Sequence, residues 1–221
     1  MRSFILIVVM IVVSSFTNKI NAQYQKGDVL DINGVKGIVF QVDESGSHGK
    51  IMSVKAFRGR KNLYCSKSSF LKDIPMDSTD DGYLNTKKLF EHVVDKNISI
   101  DEFPVYKWCA SLGAGWYIPS IDELKEFINY WLGNEVEEVD WDNEDIEEEE
   151  IDDVSHKQKV NNVLLQSGGV PFLNGVFTST KSDKDKVHVY VYDRQKDYWE
   201  FVLLSPMKMD SYTVGRAFYK F

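Results

Sequence analysis

The order of patterned segments predicts an α+β fold. Two strand-like runs joined by a polar, glycine-bearing stretch come first. Helical periodicity is confined to the middle of the chain, and four strand-like runs close it. Strands and helices do not alternate, so a parallel βαβ sheet is not expected. One helix start, in the stretch AGWYIPSIDELKEF at 114–127, carries a complete set of entry signals.

The first 22 residues stand apart from the fold. Arg2 supplies a short positive region, residues 4–13 form an unbroken apolar run, and Ile-Asn-Ala follows at 20–22. This is the pattern of a signal peptide cleaved after Ala22. The alternative is a retained N-terminal anchor, although ten apolar residues are too few to span a bilayer. No cysteine follows the run, which excludes a lipoprotein anchor, and no later segment reads as a membrane span. The expected destination is secreted, periplasmic or cell-surface. Residues 23–221 fit a single domain with a substantial core.

Within that domain, VKGIVFQV at 35–42 and IMSVKAF at 51–57 read as strands around the polar turn DESGSHGK. STDDGYLNT at 78–86 reads as a loop with Asp-Gly turn chemistry. Asn85 or Thr86 is the expected cap of a helix carrying Leu89, Phe90, Val93 and Val94. A second helix runs over 104–112: Pro104 suits its first turn and Gly113 the residue past its end. Val105, Trp108, Cys109 and Leu112 form its buried stripe. The third helix starts at the N-cap Ser120, with Glu123 completing a capping box and Pro119 and Leu124 in the staple positions. Ile121, Leu124, Phe127, Ile128, Trp131 and Leu132 share one face, and Gly133 ends the helix. Trp116 and Tyr117 are expected to pack beneath it as core. KQKVNNVLLQSGG at 157–169 is amphipathic. Strands are expected at 175–180, 186–193, 198–204 and 212–221.

Charge is distributed unevenly. Removing Arg2 and Lys19 with the leader takes the formal charge from −8 to −10. Residues 134–153 hold 13 Asp or Glu and no Lys or Arg, so the remainder carries +3. No basic stripe with interleaved aromatics appears, which argues against nucleic acid. The two cysteines, Cys65 and Cys109, are disulfide candidates in an exported chain. Two buried free thiols are the alternative.

The blocks KGIVFQVDESGSHGKIMS, DGYLNT, FPVYKWCASLGAGWYIPSIDEL, VFTSTKS and VGRAFYKF occur in an order that resembles a group of secreted bacterial domains. These are the C-terminal domain of the Legionella collagen-like adhesin and the Fibrobacter major paralogous domain, which are similar to C-type lectin-like folds. The resemblance covers nearly all of 23–221. It implies N- and C-terminal strands paired as neighbours, two or three central helices, and a ligand-bearing region after the last of them, at 134 to about 175. Ile118 stands where the pattern has Leu, and Gly215-Arg216-Ala217 keeps its Arg-Ala pair. The acidic segment looks like an insertion. The sugar-site motifs of calcium-dependent lectins, Glu-Pro-Asn or Gln-Pro-Asp with a later Trp-Asn-Asp, are absent.

Catalytic signatures are sparse. His48, His92, His156 and His188 are scattered, none at metal-ligand spacing from another His or Cys. There is no nucleophile elbow, no His-Glu-x-x-His and no phosphate loop. Formylglycine-generating oxidases resemble this fold, but they need a reactive cysteine pair, and Cys109 is expected to face inward. Asn97-Ile98-Ser99 is a sequon that matters only in a eukaryotic secretory route. In the acidic run, Asp140, Asp142 and Glu144 have the spacing that begins a calcium loop. Asp145 and Ile151 then stand where that loop needs Gly and Glu, so an EF-hand is rejected. The run is a solvated self-repelling loop, a weak divalent-cation (calcium) site, or a contact surface for a basic partner. Trp141 among these acids is a stacking candidate. Ligand contact is therefore expected at Trp141, Asp140, Asp142 and Glu144, with no confident metal site and no cofactor. The expected function is a non-catalytic, adhesin-like binding module for an extracellular glycan or protein. A structural or assembly subunit of a surface complex is the alternative, and an enzyme has no support beyond fold kinship.

Overall fold

The computed structural model describes residues 23–58, 64–133, 154–172, 175–182, 186–193, 198–204 and 213–221. The expected leader and the acidic segment lie outside the described residues. The architecture is α+β. Its strands are β1 (Val29–Ile32), β2 (Val35–Val42), β3 (Gly49–Ser53), β4 (Gly175–Lys181), β5 (Val187–Asp193), β6 (Tyr198–Leu204), β7 (Thr213–Val214) and β8 (Phe218–Lys220). Its helices are α1 (Gly82–Asp95), α2 (Pro104–Ser111), α3 (Ile121–Leu132) and α4 (Val154–Gln166). Among the described residues, no helix is long and apolar enough to cross a membrane.

The strands form two four-stranded sheets, ordered β1-β2-β3-β8 and β6-β5-β4-β7. The C-terminal strand therefore enters the N-terminal sheet, but its partner is β3 and β1 lies at the opposite edge, so the expected pairing of the two terminal strands is not formed. Tyr24 and Phe221 also meet edge to face at 5.2 Å, which brings the start of the described residues beside the last one. β1 escaped the sequence reading. It is joined to β2 by Asn33-Gly34, both at positive φ (54° and 88°), the turn that the Asn-Gly dipeptide favours in two-residue hairpins.

The contiguous apolar run Ile38-Val39-Phe40 follows from burial on both faces of β2. Val39 joins one core with Leu89, Val105, Trp116, Phe177 and Val189. Ile38 and Phe40 join a second with Leu124, Phe127, Trp131, Leu164 and Val176. β4 divides in the same way, Val176 to one core and Phe177 to the other.

Several boundaries differ from expectation. α1 begins three residues before Asn85, because Asp81 is its N-cap and its carboxylate accepts from the Leu84 amide at 2.9 Å. The Asp-Gly pair that reads as a turn is a helix entrance. Asn85 and Thr86 are buried inside the helix, and Val94 is 77 % exposed. On α2, Val105 and Cys109 are buried, while Trp108 and Leu112 are only half-buried. The second hairpin strand stops at Ser53, and Phe57 makes an isolated bridge to Gly215. The final strand is split into β7 and β8 because Arg216 turns inward between them. The expected Cys65–Cys109 disulfide is not formed. Both thiols are free and buried, and the Cys65 thiol is already committed to the Lys67 carbonyl at 2.9 Å.

Candidate functional site

The start of α3 is built as the sequence predicts. The Ser120 hydroxyl accepts from the Glu123 amide, and the Glu123 carboxylate accepts from the Ser120 amide, completing the capping box. Trp116 and Tyr117 are buried, as expected of core. The segment they lie in makes an isolated bridge: Tyr117 and Phe218 exchange amide bonds at 3.0 and 2.8 Å, docking the helix entrance onto β8.

Glu123 does far more than cap. It is 1 % exposed and serves five donors. One carboxylate oxygen accepts from the Gly82 amide (3.0 Å), the Ser120 amide (3.1 Å) and the Ser120 hydroxyl (3.2 Å). The other accepts from the Tyr117 hydroxyl (2.8 Å) and faces Lys220 Nζ at 3.1 Å. Lys50 stands 4.0 Å from that oxygen and 2.6 Å from Glu126. Burial, then the Glu123 charge, push the Tyr117 hydroxyl well above the usual phenol range, so it stays a donor. Burial lowers the Lys220 pKa, but the charge and hydrogen bond of Glu123, with those of Asp81, more than offset this and leave it raised. Sequence pattern could not find this hub, because its donors come from α1, the 116–120 segment and β8, with Lys50 of β3 beside them.

β4 supplies a row of buried hydroxyls. Thr180 Oγ1 accepts from the Ile121 amide and donates to the Ser78 carbonyl. Ser179 Oγ donates to the Pro119 carbonyl, and Thr178 Oγ1 to the His188 carbonyl. Lys181 Nζ donates to the carbonyls of Leu71, Lys72 and Ile74. These hydroxyls are spent on fixing connections, so none is a free nucleophile. Neither thiol is activated either: burial raises the Cys65 pKa to about 11 and pushes Cys109 higher still.

Among the described residues, Arg216 heads the largest fully buried side chains. Nη1 donates to the Ser53 and Val54 carbonyls (3.2 and 3.0 Å), and Nη2 to those of Val170 and Pro171 (2.8 and 3.0 Å). Burial, with Arg58 nearby, pulls its pKa down to about 9. The residues after α4 are thus fastened to the end of β3. Gly169 shares this contact, since a β-carbon there would lie 2.1 Å from the Val54 carbonyl oxygen.

Trp141, Asp140, Asp142 and Glu144 lie outside the described residues. The flanks of their segment are described. α3 ends at Gly133 in the left-handed region, φ 84°. A β-carbon on Gly133 would lie 3.2 Å from that of His156, whose ring meets Tyr130 edge to face at 5.4 Å. Lys157 lies over the Trp131 ring at 5.6 Å, and Val160 and Leu164 share a core with Phe127, Trp131 and Phe172. The chain therefore leaves α3 and enters α4 at one place. Of the four histidines, His188 is depressed by burial and by Lys125, with Asp122 opposing. His48 pairs with Asp43 at 3.3 Å in an exposed turn. Among the described residues, no group of three or more His, Cys, Asp or Glu is arranged to hold a metal ion.

Neither a family model nor a curated protein matches the chain. Among solved structures, the chain is similar to a fimbrial protein from Bacteroides ovatus ATCC 8483, at 13 % identity and a TM-score of 0.49. That likeness covers 78 % of this chain and 36 % of the fimbrial protein, so the chain spans little more than a third of its length.

Proposed function

We propose that residues 23–221 form an exported C-type lectin-like module that binds an extracellular glycan or protein and has no catalysis of its own. The observation that carries this reading is the junction of Gly133 and His156. A segment with 13 acids in 20 residues lies in sequence between two helices that share one core, so the residues flanking it are held by that core. Like charges at that density cannot be buried unpaired. We therefore assign the segment to face a partner, from flanks fixed by α3 and α4. We assign ligand contact to Trp141 for stacking and to Asp140, Asp142 and Glu144 for polar or cationic groups. The leader at 1–22 supports export. The commitment of the buried hydroxyls, Glu123 and Arg216 to holding connections supports a scaffold role for those groups.

The test compares the mature chain with a variant lacking 134–153, on a glycan array and against extracellular protein extracts. Binding by the full chain and its loss in the folded deletion variant is the expected result. Undiminished binding by the deletion would refute the assignment. Calcium should shift the melting temperature only at concentrations near 10⁻³ M, because the acids lack a preorganised loop. A strong shift at micromolar calcium would show a true ion site. An oligomer lost on deleting 134–153 would favour an assembly subunit instead.

A further inference from the structure

We draw no further inference here: the strongest candidate, the exposed apolar face of α1 formed by Tyr83, Leu84 and Val94 beside the partly buried Phe90, carries nothing because no feature of the structure shows what covers it.

Discussion

Removing the Glu123 carboxylate tests the central energetic claim about this fold. In Glu123→Ala, the Gly82 amide, the Ser120 amide and the Tyr117 hydroxyl all lose their acceptor inside the protein. Each orphaned buried donor costs about 1–3 kcal/mol, and the costs are not additive. Breaking a buried charge pair by removing one partner costs about 3–5 kcal/mol, but here Lys50 keeps Glu126 at 2.6 Å and Lys220 keeps Asp81 at 3.7 Å. Lys220 is 45 % exposed and recovers solvation, so the donors dominate. A net loss of about 4 kcal/mol is expected, a large share of the roughly 5–15 kcal/mol that holds a typical domain. Glu123→Gln should cost about 2–3 kcal/mol, because either amide orientation turns an N–H toward donors. Urea unfolding followed by tryptophan fluorescence reads both, with an unchanged slope required for a stability reading. A loss below about 1 kcal/mol in Glu123→Ala would refute the hub. So would zero coupling to Tyr117→Phe in a double-mutant cycle.

Other substitutions address the remaining joints. Gly82→Ala would gain up to about 1 kcal/mol in an ordinary exposed helix. Here its β-carbon would lie 2.5 Å from the Ile118 oxygen and the Ser120 nitrogen, so a loss of about 2–3 kcal/mol is expected by urea titration, as in other overpacked sites. Arg216→Lys keeps a charge but cannot serve carbonyls on two sides. About 3 kcal/mol should be lost, with faster amide exchange at 167–172. Lys220 has a raised folded pKa, so its contribution is complete below the ordinary value of 10.5 and is lost as pH rises through the folded value. The melting-temperature gap between wild type and Lys220→Met should therefore be constant at neutral pH and close above pH 10.5. A gap that widened with pH would reverse the sign.

What the sequence made legible was local. The capping box at Ser120 and Glu123, the αL cap at Gly133 and the inward face of α3 each depend on residues within one or two helical turns. All three are present. The N-cap of α1 was missed because Asp81-Gly82 is equally good turn chemistry. Only the approach of Gly82 to Ile118 and Ser120 decides between the two. The disulfide candidate failed for a related reason: an oxidising destination says nothing of how two buried thiols are placed. Glu123 was legible as a cap but not as a hub, since Gly82 and Lys220 lie 41 and 97 residues away in sequence.

The motifs that carry the family resemblance meet around one end of α3, and this explains both their order and their silence about a ligand. Tyr117 and Ser120 bind Glu123, Gly82 donates to it, and Thr180 receives the Ile121 amide. Arg216 holds the residues after α4. These are long, irregular connections whose backbone groups would otherwise be buried without partners. A carboxylate, a lysine, a guanidinium and three hydroxyls supply those partners in place of regular ladder bonds. Groups that satisfy the chain's own backbone are turned away from solvent, so they constrain the scaffold instead of meeting a ligand.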